Sequence, residues 1–310
     1  MPELHPLTLA DRNLVTGYLR RYPPEISELT FTNLFIWQPS RPVFFSELGN
    51  SLIFLVKAAH EKNKYILFGP PVGEITIPEV FSTLQNNIVG AVRIPDKSAV
   101  ELPDSAFVVS PDRDNGDYVY RVDALAHLTG RRYAKKRNHI KQCLSNYSCE
   151  YVPITAKRIA ECEIMQENWC HHRECGRNPD LCNEANAIAE TFAHFEEFEL
   201  LGGAIRVDGS IQAFAIGEEL HPGTAVWHFE KAMADIPGLG QLINQWFSRF
   251  GLKDFEYVNR EQDLGVPGLR QAKESYYPHH MVNKNCVSPS TDRIITAKSI
   301  KAEGCASYEH

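Results

Sequence analysis

The pattern of hydrophobic and polar positions is strand-like in the first third of the chain. Apolar runs of strand length, separated by turn residues and polar stretches, occupy residues 43–48, 52–56 and 65–68. Apolar residues at helical spacing, including Val80 and Leu84, then predict a helix over residues 76–88. Strands interrupted by helices in this way predict an α/β fold class with mixed (α+β) sheets.

A second pattern begins near Asp123, where longer helices appear. Three helices and a hairpin are predicted, the helices over residues 131–146, 155–170 and 184–200 and the hairpin turn at Asp208-Gly209. We therefore predict one domain over residues 1–122 and a second over residues 123–288. The remaining residues, 289–310, are polar and rich in small side chains, which predicts a loosely ordered tail.

The most informative stretch lies in the second domain. An apolar strand over residues 225–229 precedes the turn Ile236-Pro-Gly-Leu-Gly-Gln241, an amphipathic helix and a second strand over residues 255–259. Strand, glycine turn and helix together can present backbone N–H groups to a phosphate at a helix N-terminus. An ordinary strand-to-helix turn is the alternative, because a lone G-x-G is a weak motif.

Composition and charge indicate a globular protein and disfavour some classes of binding protein. The 310 residues are 43% hydrophobic and 23% charged, which is typical of a globular protein, and the net charge of −7 disfavours a general nucleic-acid binder. The N-terminus has no secretory pattern, and no apolar run is long enough to insert into a membrane. Eight cysteines without a secretory signal predict reduced thiols and a cytoplasmic protein.

A dense basic run forms most of the first predicted helix of the second domain. Residues 131–141 contain six Lys or Arg side chains, and like charges four positions apart destabilise a helix. A solvated helix face is one interpretation. An acidic partner such as a nucleotide, a tRNA backbone or a lipid headgroup is the other. The anion-binding candidates in this run are Lys135, Lys136, Arg137 and Asn138.

A polar cluster ends the second strand. The edge of an α/β sheet where parallel strands end is where ligands bind, and Glu230 ends the neighbouring strand. A carboxylate there could accept a proton from an amine, or it could belong to an ion-pair network with nearby basic side chains. The candidates in and near this cluster are Asn259, Arg260, Glu261, Asp263 and Lys273.

The cysteine and histidine residues between Cys170 and Cys182 raise the question of zinc. Their C-x4-C-x6-C spacing contains neither a C-x2-C pair nor an H-x3-H pair. Buried or loop thiols are therefore the better interpretation, and we predict no metal.

Several segments taken together resemble the phosphatidylglycerol lysyltransferase C-terminal domain family. The resemblance covers most of the chain and is strongest from Leu125 to Val287. The segments that carry it are Ser27–Trp37, Leu128–Asn138, His228–Lys231, Tyr257–Gly265, Gly268–Lys273 and Tyr276–Pro278.

The resemblance implies two tandem GNAT-type acyltransferase folds, the second more complete than the first. It places the turn from Pro237 to Gln241 where GNAT proteins bind the pyrophosphate of acyl-coenzyme A. For acyl transfer to an amine we predict Glu230 or Asp263 as the general base and Tyr276 or Tyr277 as the proton donor. The implied donor-site residues are Phe229, Pro237, Gly238, Leu239, Gly240, Gln241 and Asn259.

Three functions follow as hypotheses. The first is transfer of an acyl group from acyl-coenzyme A, a co-substrate, to the amine of an unidentified acceptor. The second is aminoacyl transfer from aminoacyl-tRNA to a lipid or peptide, with the basic helix binding the tRNA. The third is a non-catalytic protein that binds coenzyme A or a nucleotide.

Overall fold

The computed structural model describes residues 3–59, 61–290 and 294–300, and these form two compact units. The first unit contains the described residues up to Asp117, Gln262–Arg270 and the described residues from Met281 onward. The second contains Tyr118–Glu261 and Gln271–His280. Two seven-stranded mixed sheets form the framework, which confirms the predicted fold class.

The sheet of the first unit has the strand order β1-β2-β3-β4-β5-β14-β6. β4 and β5 run parallel, whereas the other neighbouring strands are antiparallel. Its strands are β1 (His5–Pro6), β2 (Val43–Leu48), β3 (Ser51–Lys57), β4 (Tyr65–Phe68), β5 (Ile88–Pro95), β6 (Phe107–Pro111) and β14 (Lys284–Pro289). The helices of this unit are α1 (Arg12–Arg21), α2 (Phe31–Ile36), α3 (Ile77–Leu84) and α4 (Asp96–Ala99).

Local sequence explains where α3 begins and ends. Thr76 and Glu79 form a capping box, in which the Thr76 hydroxyl accepts from the Glu79 N–H and the Glu79 carboxylate accepts from the Thr76 N–H. The buried face of the helix, including Val80, belongs to the same hydrophobic core as Ile53 and Leu67 of the sheet. The helix is shorter than predicted. It ends at Leu84 because Gln85 has a positive φ of 40°, and β5 begins at Ile88.

The sheet of the second unit has the strand order β13-β7-β12-β11-β10-β9-β8, with β11 and β12 parallel. Its strands are β7 (Asp117–Arg121), β8 (Cys149–Pro153), β9 (Leu201–Val207), β10 (Ser210–His221), β11 (Thr224–Ala232), β12 (Tyr257–Asn259) and β13 (His280–Val282). The remaining helices are α5 (Val122–His127), α6 (Ala134–Asn146), α7 (Ala156–Arg173), α8 (Pro179–Ala193), α9 (Leu239–Trp246) and α10 (Pro267–Glu274).

The predicted hairpin between β9 and β10 is confirmed. Asp208 and Gly209 have φ values of 49° and 96°, the left-handed conformations that two-residue hairpin turns require. Helices cover both faces of the sheet. Phe192 of α8 packs against Phe214 of β10, and Trp227 of β11 packs against Phe247, which follows α9.

The end of the chain differs from the prediction. The predicted second domain extends to residue 288, yet β14 lies between β5 and β6 in the sheet of the first unit. Within the predicted tail, Ile295 is buried and its N–H donates to Ser288 Oγ at 2.7 Å. The other residues of the predicted tail beyond Ser290 lie outside the described residues.

The sulfur atoms of Cys170 and Cys175 lie next to each other at the end of α7, whereas reduced thiols stay a prediction. Among the described residues, no helix combines the length and apolar character needed to cross a membrane.

Candidate functional site

The candidate site lies where β11 and β12 separate. Their parallel pairing ends at Val226 and Asn259, but β11 continues to Ala232. Beyond the last pair, the two segments no longer share a hydrogen-bond ladder. Side chains from both can therefore enter the space between them, at the sheet edge where ligands bind in α/β proteins.

Arg260 bridges this separation. Its Nη2 donates to Glu230 Oε2 at 2.9 Å, joining the loop after β12 to the far half of β11. The guanidinium lies 4.6 Å from the ring centre of Trp227 and 5.4 Å from that of Tyr276. The Arg260 side chain is 12% exposed and that of Glu230 is 25% exposed, so the pair is held by the protein but remains accessible.

Two further polar side chains come from the helices. Asn244 of α9 lies within 3.3 Å of Glu230 Oε2, and with its amide turned its oxygen accepts from Arg260 Nη2 at 3.1 Å. Lys136 of α6 has its ammonium 3.6 Å from the ring centre of Tyr276, and it donates to Ser275 Oγ at 2.7 Å. We call Arg260, Glu230, Asn244, Lys136, Tyr276 and Trp227 the Arg260 cluster.

Lys136 is unusual among the basic residues of α6. Burial, reinforced by the nearby positive charge of Arg260, lowers the pKa of its ammonium to about 8. Lys136 is thus close to its titration point at physiological pH. Together with Arg260 and Glu230 it provides two cationic donors and one carboxylate, which suit oxyanion stabilisation and proton transfer respectively.

The remaining predicted basic residues lie outside the cluster. Arg137 donates to the backbone carbonyls of Leu128 and Gly130, and so caps the end of α5. Lys135 and Asn138 are exposed on α6. Lys273 donates to the backbone carbonyl of Arg260 and therefore supports the loop that carries it.

In the predicted glycine turn, one glycine is required by the backbone conformation and by helix packing. Gly238 precedes α9 with a φ of 88°, and a Cβ atom there would collide with the carbonyl oxygen of His139 in α6. Gly240 faces open space, whereas Leu239 is buried in the core. Pro237 is exposed and Gln241 is partly buried.

Two predicted donor-site residues support the fold locally. Phe229 is buried on β11. Asn259 is buried as well, and its Oδ1 accepts from the Glu261 N–H at 2.8 Å, which shapes the loop after β12.

The predicted base Asp263 does not join the cluster. Its carboxylate is 0% exposed and lies in the first unit, where Arg270 and Arg113 donate to it at 2.8–3.0 Å. A carboxylate occupied by two guanidinium groups is a poor proton acceptor. Glu230 is therefore the better candidate of the two predicted bases.

The two predicted proton donors differ in position. Tyr276 is buried beneath Lys136, and burial raises the pKa of its hydroxyl. Tyr277 is exposed, and its ring meets that of Tyr133 edge to face at 5.4 Å. Tyr276 serves the cluster as a platform for the two cations, whereas Tyr277 is not among the side chains that contact Arg260.

Sequence reasoning missed His228, which sits between two carboxylates. Its Nδ1 is 2.8 Å from Glu261 and its Nε2 is 2.9 Å from Glu218. Although burial lowers the pKa of the imidazole, hydrogen bonds and charge from both carboxylates outweigh burial and raise it to about 9. The available sequence signal was a polar residue in an apolar strand. Sequence reasoning also missed Asn244, a polar residue among the apolar residues of α9.

Comparisons with known proteins identify relatives of the whole arrangement. Residues 19–287 match a family model described as phosphatidylglycerol lysyltransferase, C-terminal. A conserved protein of unknown function from Bacteroides thetaiotaomicron is 30% identical, with a TM-score of 0.84 over 94% of this chain and 100% of that one.

Two more distant structures share the fold. L-PGS from Bacillus licheniformis is 15% identical, with a TM-score of 0.63 over 91% of this chain and 93% of that one. FemX is 7% identical, with a TM-score of 0.57 over 91% of this chain and 96% of that one. A comparison with curated proteins returned no match. Within the described part of the chain, no group of three or more His, Cys, Asp or Glu side chains is arranged to hold a metal ion.

Proposed function

Because this chain belongs to the phosphatidylglycerol lysyltransferase C-terminal family, we propose that it is an aminoacyltransferase that uses aminoacyl-tRNA as its donor. The observation that carries the proposal is the Arg260–Glu230 pair, with Lys136 beside it, at the separation of β11 and β12. The family description names a lysyl group as the group transferred. Aminoacyl transfer is therefore favoured over transfer of an acyl group from coenzyme A.

The cluster suits the chemistry of an aminoacyl ester. A hydroxyl or amine of the acceptor attacks the ester carbonyl, and the bond to the ribose oxygen of the tRNA breaks. Arg260 and Lys136 donate to the oxyanion that develops on the carbonyl. Glu230 takes the proton of the nucleophile and passes it to the ribose oxygen, which leaves as a hydroxyl.

The basic run offers a surface for the tRNA. Arg131, Arg132 and Lys135 are exposed on the turn and helix that carry Lys136 toward the cluster. Contacts to phosphates need no particular sequence and are compatible with the overall charge of −7, because they depend on the local patch. The proposed acceptor is a lipid or a peptide, with phosphatidylglycerol first because the family description names it.

The test incubates the purified protein with labelled lysyl-tRNA and phosphatidylglycerol vesicles, and with a mixture of the other aminoacyl-tRNAs in parallel. We expect labelled lipid with one of these donors, lost at least about 100-fold in Arg260→Gln and Glu230→Gln. Arg249→Gln, at an exposed arginine of the same unit outside the cluster, is the matched control.

Acyl-coenzyme A is the donor to test against this proposal. A parallel reaction supplies labelled acetyl-coenzyme A, with polyamines and lysyl peptides as acceptors. Acetyl transfer that disappears in Glu230→Gln, with no aminoacyl transfer from any tRNA, would replace the proposal with the coenzyme A hypothesis. Binding of coenzyme A without its consumption would favour the non-catalytic hypothesis.

A further inference from the structure

His228 occupies an irregular position in the sheet. β10 pairs Ile216 with Phe229 and Gly217 with Trp227, so His228 is an extra residue of β11 at a β-bulge. Bulges redirect side chains and are frequent beside functional sites. The imidazole of His228 is 1% exposed, and the groups that it contacts on either side of β11 are carboxylates.

Both ring nitrogens of His228 face carboxylates. Glu218 of β10 lies on one side of the ring and Glu261, in the loop after β12, on the other. Ionised carboxylates only accept hydrogen bonds, so this arrangement requires a proton on each nitrogen. The ring is therefore an imidazolium held between two acceptors, and the raised pKa of His228 agrees with that state.

The imidazolium connects the sheet to the residue after Arg260. Because the β11–β12 ladder ends at Asn259, the loop that follows lacks ladder bonds to β11. Glu261 has a φ of 57°, a left-handed conformation that a non-glycine residue keeps only where its surroundings hold it. The backbone of Tyr118 in β7, the Asn259 side chain and His228 supply that support.

We infer that His228 is a positioning residue for Arg260: it ties the loop after β12 to β10 and β11, and thereby holds the guanidinium beside Glu230. The inference rests on the proposed function only for the task of Arg260 in transfer. The tie itself is a property of the folded protein and can be measured without substrate.

The first measurement is NMR of the side chains in the full chain. In the wild type we expect both ring nitrogens of His228 to be protonated at pH 7, and the Arg260 Nε–H to exchange slowly with solvent. In His228→Gln we expect that exchange to accelerate by about tenfold or more, since a charge-assisted hydrogen bond is lost. His127→Gln, at an exposed histidine of the same unit, should leave it unchanged.

A second variant tests whether charge is the reason. His228→Gln leaves Glu218 and Glu261 facing each other with one neutral amide between them. Adding Glu261→Gln removes one charge and permits an amide–amide hydrogen bond, so the double variant should recover most of the slow exchange. If His228 acted only through packing, a substitution at Glu261 would not restore the slow exchange of the Arg260 Nε–H.

The outcomes separate this inference from the proposed function. A neutral His228 at pH 7, or unchanged Arg260 exchange in folded His228→Gln, would overturn the inference. If His228→Gln does not fold, Glu261→Gln alone decides, and it should accelerate Arg260 exchange. Where the transfer assay is active, His228→Gln should lower kcat with little change in KM. If the wild-type protein transfers no group from any donor, the proposed function fails while the NMR result still stands.

Discussion

The carbonyl oxygen of His139 occupies the space that a Cβ atom at Gly238 would need. This contact joins α6, which carries the basic residues, to the turn that begins α9. The glycine is therefore required by helix packing, whether or not the turn binds a phosphate. Its neighbour Gly240 has open space around it, so the two glycines can be used to separate folding from binding.

We predict that Gly238→Ala lowers the free energy of unfolding by about 2–4 kcal/mol, because it adds both a steric clash and an unfavourable positive φ. Gly240→Ala should change stability by less than about 1 kcal/mol. Urea denaturation of the two variants measures the difference. Equal stabilities would contradict the contact with His139.

Lys284 is a second point at which stability should be sensitive. Its ammonium donates to Glu28 Oε2 and Asp117 Oδ1, each at 2.6 Å, and all three side chains are buried in the first unit. Lys284→Met should cost about 3–5 kcal/mol, because two buried carboxylates lose a charged partner, although Arg93 still pairs with Glu28. Lys97→Met, at an exposed lysine of the same unit, should stay within about 0.5 kcal/mol of the wild type. A loss of less than about 1 kcal/mol at Lys284 would mean that the network is solvated.

His228 predicts how stability depends on pH. Its pKa is raised to about 9 in the folded protein, whereas an unfolded histidine has a pKa of about 6.5. The stabilisation is therefore fully present below about pH 6.5 and is lost as the pH rises through about 9, amounting to about 3 kcal/mol. The difference in unfolding free energy between wild type and His228→Gln should shrink over that range. A constant difference would show that the ring does not titrate there.

Lys136 predicts how activity depends on pH. Its pKa is lowered to about 8, so its ammonium is lost at a lower pH than that of an exposed lysine. If the proposed transfer needs the cation, kcat/KM should fall as the pH rises above about 8. Lys136→Arg, which keeps its charge at that pH, should move this decline to higher pH. The same decline in both proteins would assign it to another group.

Local structure was largely predictable. The strands at residues 43–48 and 65–68 and the Asp208–Gly209 turn follow from signals within a few residues, and the structure has them at those positions. The sequence also placed Glu230 and Arg260 at the ends of neighbouring strands, where the structure joins them. It could not separate Glu230 from Asp263 as a base, because the partners of Asp263 include Arg113, which is 150 residues away.

The amino-acid sequence by itself determined the class of fold, most of the strands and helices, and the residue types from which the site is built. Periodicity, caps and turn residues act over a few positions, and they can be recognised wherever they occur. Tertiary structure alone decided which charges meet. Lys284 pairs with Glu28 from 256 positions away because β14 enters the sheet between β5 and β6. His228 meets Glu261 because a bulge and the end of a strand ladder bring them together, and no local pattern in the chain encodes either.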